Sequence, residues 1–282
     1  GQPYADIRKA IHRNSVLMTA GLVRMEYDEA DLEDKIKITR ALREVILDNL
    51  TSDEELSSRV LRLAAPGKLS IEDFPHLSRD IKLLQAYLKS VMSGGVRGSN
   101  VLLYGSPGCG KTELAKALIA SLGGALYEIA YANNDGDPID GEQRLQNYNF
   151  CQHALTGKVD VALMFDEMED VLAGGDDFAS LFDLDKGRDS NKGGKAWINR
   201  VLEENPIPTI WITNDADIDE AYLRRFDYSV PLGVPPRQVR QSITSHYLAE
   251  YCPNPDKLSA LGDLDDLLPS QLERAARIAR LI

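Results

Sequence analysis

Gly105-Ser106-Pro107-Gly108-Cys109-Gly110-Lys111-Thr112 lies directly after the apolar run Val101-Leu102-Leu103-Tyr104 and directly before Glu113-Leu114-Ala115-Lys116-Ala117-Leu118-Ile119, which has helical character. Strand, glycine-rich loop and helix in that order make a phosphate-binding loop. Glycines let the chain curl so that successive N–H groups converge on one point, and the following helix adds the positive end of its dipole. Lys111 then reaches toward the β and γ phosphates of a nucleotide, and Thr112 is placed to bind Mg²⁺. Gly105 through Thr112 are therefore expected to form a nucleotide site.

The chain has 282 residues, 43% hydrophobic and 27% charged, enough for a full core and for more than one domain. No run approaches the roughly 20 apolar residues of a membrane span, and no secretory h-region opens the chain. Cys109, Cys151 and Cys252 have no metal-type spacing and are odd in number, which suits a reducing compartment and predicts a cytoplasmic protein. Cys109, near a helix N-terminus, is either a favoured thiolate or a small residue that fits the loop. A net charge of −12 argues against nucleic acid as a partner. His12, His76, His153 and His246 are scattered without ligand-like pairing and read as structural or surface residues. The chain opens without methionine and stops inside a helical pattern, as a piece of a longer protein would.

Three regions follow from the change of rhythm. Residues 1–67 read as helical: apolar positions at three and four recur between Asp28 and Leu50, and Ser52 with Glu55 forms a capping box for a helix ending near Ala65. Pro66-Gly67 breaks that pattern. Residues 68–236 alternate short apolar runs with helices, the runs being Val101–Tyr104, Leu126–Tyr131, Val161–Phe165, Thr209–Thr213 and Tyr228–Leu232. That alternation predicts an α/β fold with a parallel sheet flanked by helices, its ligand at the carboxyl ends of the strands. Residues 237–282, helical over Arg237–Tyr251 and Pro269–Ile282, read as a small helical lid. The glycine- and aspartate-rich stretch Ala173–Gly194 reads as a mobile loop.

The run Val161–Phe165 ends in Asp166-Glu167, about fifty residues after the phosphate loop. Asp166 would hold Mg²⁺ through its water shell, and Glu167 would orient and polarise an attacking water. Asn214 follows the run Thr209–Thr213, where its amide would meet either the γ phosphate or the water, or simply cap a turn. Arg224 and Arg225 precede Phe226-Asp227; a pair of arginines is either a solvated patch or a fork for phosphate oxygens.

In this order the parts resemble the AAA family of the AAA+ ATPases, from about Leu69 to the end of the chain. The resemblance implies an AAA+ core with a helical lid, bound ATP and Mg²⁺, and a homo-oligomeric ring, usually hexameric, that remodels a protein partner. Within Ile71–Leu77, the backbone around Phe74 and Pro75 would meet the adenine. Asn214 matches the sensor-1 position. Arg224 and Arg225 match the arginine fingers that act on nucleotide held by a neighbouring subunit; the family's usual Pro-Gly spacer between them is missing, which leaves the choice between them open, and Arg225 is favoured for its place beside Phe226-Asp227. Ile139-Asp140-Gly141 occupies the position of the pore loop without an aromatic residue, which weakens polypeptide threading. Arg274 falls in the sensor-2 region but reads better as a helix-surface residue. Two alternatives stand beside a ring motor: a nucleotide-gated scaffold with slow hydrolysis, and a small-molecule kinase, the latter disfavoured by an acid pair aimed at water.

Overall fold

The computed structural model describes residues 61–132, 138–171, 202–216 and 223–281, two short strands at 23–25 and 36–38, and positions 9, 12, 15 and 18. Its centre is a six-stranded sheet in the order β3-β5-β6-β7-β4-β8. These strands are β3 (Leu61–Leu63), β4 (Asn100–Tyr104), β5 (Ala125–Ile129), β6 (Val161–Phe165), β7 (Thr209–Thr213) and β8 (Tyr228–Pro231). The five strands from β4 to β8 pair in parallel, and β3 joins the edge antiparallel to β5. Every residue of β6 and β7 is buried, as apolar strands in the middle of a covered parallel sheet require.

Alternation along the strands divides the core into two layers. Val161, Leu163 and Phe165 face one way with Leu102 and Trp211, under helix α3 (Gly141–Leu155), which contributes Tyr148, Cys151 and Leu155. Ala162 and Met164 face the other way with Leu103, Ile210 and Ile212, under α1 (Ser78–Met92) and α2 (Lys111–Ser121), which contribute Leu84, Leu88, Leu114 and Leu118. Three further helices, α4 (Arg237–Leu248), α5 (Pro255–Gly262) and α6 (Pro269–Ala279), pack around Leu248, Leu258, Leu272 and Ala276. Buried Arg240 fastens this unit to the chain that enters it, its Nη1 donating to the Pro235 carbonyl at 2.8 Å.

Two parts of the N-terminal helical reading are corrected. Ile36–Ile38 is a strand, β2, paired antiparallel with β1 (Val23–Met25). Leu61–Leu63 is β3 rather than the end of a helix, with Leu61 aligned to Ile129. In both, a tertiary partner supplies the backbone hydrogen bonds that local helical spacing would have used. The main sheet therefore includes a strand that lies before the Pro66-Gly67 break. The remainder of the proposed helix over 28–50, the Ser52 cap and the stretch Ala173–Gly194 lie outside the described residues.

One buried side chain ties the layers together. The Gln152 amide nitrogen donates to Tyr148 Oη at 2.8 Å, to the Ile207 carbonyl at 3.0 Å and to Thr209 Oγ1 at 3.0 Å, while its oxygen accepts from the Ile207 N–H at 2.8 Å. Truncation strands the Ile207 N–H in the core, while the Ile207 carbonyl keeps Asn205 Nδ2 at 2.8 Å. Gln152→Ala is expected to cost about 2–4 kcal/mol of stability, read as a lowered denaturant midpoint at unchanged slope.

Candidate nucleotide site

The loop from Gly105 to Gly110 crosses the carboxyl end of the sheet between β4 and α2. Its glycines are there for contact as well as conformation. Gly105 has φ +131°, and a Cβ at that position would fall 2.0 Å from the Leu232 carbonyl oxygen. Gly108 has φ +83° and approaches α6, where a Cβ would meet Ser270 Oγ at 2.2 Å. The loop is pinned at both ends: the Gly105 N–H donates to the Asp215 carbonyl at 3.1 Å, and the Ser270 N–H donates to the Gly108 carbonyl at 3.3 Å.

Lys111 opens α2 and is only 5% exposed. Its Nζ folds back into the loop, donating to the Gly105 carbonyl at 2.7 Å and the Ser106 carbonyl at 2.9 Å. Burial lowers its pKa from the ordinary lysine value. An anion in the loop would oppose that shift by stabilising the charged form. Cys109 is buried, and burial pushes its thiol upward despite the nearby Lys111 cation. Of the two readings of Cys109, burial favours the small side chain that fits the loop, in the cluster with Leu114, Ala115 and Phe74. Phe74 is also buried, its ring 3.4 Å from where a Gly110 Cβ would lie, and Pro75 begins the short 3₁₀ turn after it.

Thr112 and Asp166 meet directly, with Thr112 Oγ1 donating to Asp166 Oδ2 at 2.6 Å. A hydroxyl and a carboxylate so placed are hard oxygen donors of the kind Mg²⁺ accepts alongside phosphate oxygens and water. Glu167 follows in the left-handed region, φ +52°, and its N–H donates to Asp166 Oδ1 at 2.9 Å. Asn214 emerges at the end of β7, next to β6 in the sheet. Its Nδ2 donates to Glu169 Oε1 at 2.5 Å and its backbone N–H donates to the same oxygen at 3.2 Å.

Arg224 and Arg225 lie elsewhere. They precede β8, whose Tyr228 is aligned with Val101 near the start of β4, while the phosphate loop leaves β4 at its other end. The intervening strand is about 13 Å long at ~3.3 Å per residue. Asp227 anchors this segment: its Oδ2 accepts from the Asn100 N–H at 2.7 Å and from Tyr87 Oη at 2.8 Å. Asn100 in turn accepts from Trp211 Nε1 at 2.9 Å.

The structure brings Lys111, Thr112, Asp166, Glu167 and Asn214 to one rim and leaves the arginines apart, a division absent from the sequence reading. That reading missed Glu169, which holds Asn214, and Arg144, whose Nη1 donates to the Glu167 carbonyl at 2.9 Å. Glu169 was reachable from the spacing Asp166-Glu167-Met168-Glu169. Arg144 carries no local signal.

The family described as ATPase family associated with various cellular activities (AAA) matches residues 101–234. A 26S proteasome regulatory subunit homolog from Methanothermobacter thermautotrophicus is 28% identical over 160 residues, covering 53% of this chain and 39% of its own length. A proteasome-associated ATPase from Beutenbergia cavernae is 29% identical over 213 residues, covering 62% of this chain and 36% of its own. The chain thus spans under two fifths of the length of either relative. Among solved structures, the AAA domain of FIGL-1 in complex with ADP superposes with a TM-score of 0.53 at 15% identity, covering 80% of this chain and 78% of that one. It is alike in fold.

Gly108 offers a test of the loop's packing. Gly108→Ala adds a Cβ at positive φ against Ser270 and is expected to cost about 1–3 kcal/mol in chemical denaturation. Ser270→Gly in that background removes Oγ and should restore part of the loss, a coupling of at least ~0.5 kcal/mol.

Proposed function

Because residues 101–234 match the AAA family of ATPases, we propose that this protein binds ATP with Mg²⁺ and hydrolyses it at the junction between subunits of a ring built from copies of itself. The family's usual ring is a hexamer, and the work done is the remodelling of a protein partner or assembly in the cytoplasm. The observation that carries this reading is the meeting of Thr112, Asp166, Glu167 and Asn214 beside the Lys111 loop.

In this mechanism the loop from Gly105 to Gly110 holds the phosphates with the N–H groups that follow Gly105, whose own N–H is taken by the Asp215 carbonyl. Lys111 leaves the Gly105 and Ser106 carbonyls to neutralise the β and γ oxygens. Thr112 and Asp166 would hold the metal, whose charge would offset that developing on the phosphates. Glu167 orients the attacking water, and Asn214, fixed by Glu169, presents its amide to the water or the γ phosphate. Phe74 and Pro75 flank the adenine side. Phosphoryl transfer leaves little covalent chemistry to the protein, so positioning and charge stabilisation account for the rate.

Arg224 and Arg225 complete the site from a neighbouring subunit. Their position at the opposite end of the sheet from their own chain's loop supports action in trans. Such a finger contributes about 10³–10⁵ in rate. The same reading divides the chain into an N-terminal region of residues 1–67 that lends β3 to the sheet, a core of 68–236 and a lid of 237–282. Asp140 supports the slower, scaffold-like alternative: its carboxylate caps α3, accepting from the Gln143 N–H at 2.8 Å, where a threading loop would present an apolar side chain.

Calorimetry with ATP and Mg²⁺ is expected to give binding that Lys111→Ala abolishes. Glu167→Gln should retain ATP and lose turnover by about 10²-fold or more. Turnover per subunit should climb steeply with protein concentration, and Arg225→Ala should flatten that climb while leaving binding intact. Flat, negligible turnover at every concentration with tight ATP binding would favour the scaffold.

A further inference from the structure

Helix α3 delivers a cation to the underside of the strand end that bears Asp166 and Glu167. Arg144 is 1% exposed, so its guanidinium lies in the core, where a charge is tolerated only with its donors matched. Nη1 donates to the Glu167 carbonyl at 2.9 Å and Nη2 donates to the Asp166 carbonyl. The guanidinium carbon also sits 4.5 Å from the centroid of the Phe165 ring, which stacks on Trp211. Arg144 thus contacts Phe165, Asp166 and Glu167 in succession. A rigid planar fork meets two consecutive carbonyls in a way that a lysine does not reproduce.

What the fork grips is a disfavoured backbone. Glu167 has φ +52°, a conformation that a residue with a Cβ adopts only when its surroundings enforce it. Two ties hold it: its own N–H to Asp166 Oδ1, and the Arg144 bond to its carbonyl. The geometry points to Arg144 as a positioning residue for hydrolysis: by clamping the Asp166 and Glu167 carbonyls it keeps the Glu167 backbone left-handed and thereby aims the carboxylate at the water. Buried as it is, Arg144 acts through the backbone it holds. This inference rests on the reading of Glu167 as the group that polarises the water.

The anchorage of Arg144 is independent of the phosphate loop. Its N–H donates to the Asp140 carbonyl at 3.0 Å in the first turn of α3, on the far side of β6 from α2. Loosening the clamp should therefore disturb the Glu167 backbone while sparing the phosphate loop and the Thr112 bond that holds the Asp166 side chain. A residue that only supported the fold would give a different result, with affinity, rate and stability declining together.

The test compares Arg144→Met and Arg144→Lys with the unaltered full chain and with Glu167→Gln, measuring the Kd of a fluorescent ATP analogue with Mg²⁺, KM, kcat and the melting midpoint. For Arg144→Met the expected result is a Kd and KM within about threefold of the parent and a kcat lower by about tenfold or more. Arg144→Lys, which retains the cation but not the fork, should fall between the two. The inference is overturned if folded Arg144→Met keeps kcat within about twofold, if Kd weakens in step with kcat, or if the lysine is no better than the methionine. Should Arg144→Met fail to fold, Arg144→Lys decides: a reduced kcat at unchanged Kd upholds the clamp, and a parental kcat overturns it. If neither variant folds, the residue is structural and the inference is wrong. Glu167→Gln separates this from the broader reading. Normal turnover there removes Glu167 from the mechanism and the clamp with it, whereas a dead Glu167→Gln beside a normal Arg144→Met removes the clamp alone.

Discussion

The hydrogen bond from Thr112 to Asp166 joins residues 54 apart in sequence, and its existence depends on the level at which the central strands end. β4 and β6 are not neighbours; β7 lies between them. Tyr104 is aligned with Thr213 and Phe165 with Trp211, so extending the register brings Glu167 level with Thr213 and Tyr104. The phosphate loop, the acid pair and Asn214 thereby reach the same rim. A slip of one residue in β6 would turn Asp166 to the other face and move Phe165 out of its layer. The buried alternation of β6 and β7 forbids that slip, so the same packing that makes the core also sets the site.

Around this rim the chain gathers conformations and burials that cost free energy. Gly105, Gly108 and Gly110 have positive φ, Glu167 does so with a side chain, and Lys111 and Arg144 are buried cations. Each is unfavourable alone and is held by a specific partner: the Leu232 and Ser270 contacts for the glycines, loop carbonyls for Lys111, strand-end carbonyls for Arg144. Strain concentrated where the backbone must present donors or acids, over apolar strands with no polar defects of their own, is the pattern of a site organised in advance of its ligand.

Much of this was legible in the sequence, because the decisive elements announce themselves locally. The five parallel strands are short apolar runs, and the loop between β4 and α2 is fixed by glycine spacing with Lys111 and Thr112. What escaped notice depended on partners remote in sequence. Leu61-Arg62-Leu63 is too short for its alternation to outweigh the helical spacing around it, and only pairing with β5 makes it a strand. Ile36-Lys37-Ile38 failed in the same way. Arg144 and Gln152 look like the polar positions of any surface helix, yet both point into the core, because α3 buries polar side chains against strand-end carbonyls and against Ile207. Residues 237–282 hold a third helix, α5, beyond the two legible in sequence, and Asn254 caps it by accepting from the Asp256 and Lys257 N–H groups.

The lid and the phosphate loop do not occupy independent positions. Lys68 pairs with Glu273 of α6 while its backbone N–H donates to Glu113 of α2 at 2.6 Å, but both Lys68 and Glu273 are exposed, and such an ion pair contributes little. The stronger constraint is contact: the Ser270 N–H on the Gly108 carbonyl, and Leu268 packed on the cluster beneath the loop. Because Gly108 has no side chain, α6 approaches the loop backbone itself. Any change in loop conformation that accompanies phosphate binding must therefore be taken up at Ser270, and through α6 by the three-helix unit around Leu248 and Leu272. Packed units of this kind move as bodies rather than deforming smoothly. The fold thus joins the phosphate loop to the three-helix unit through a backbone hydrogen bond and the Leu268 contact.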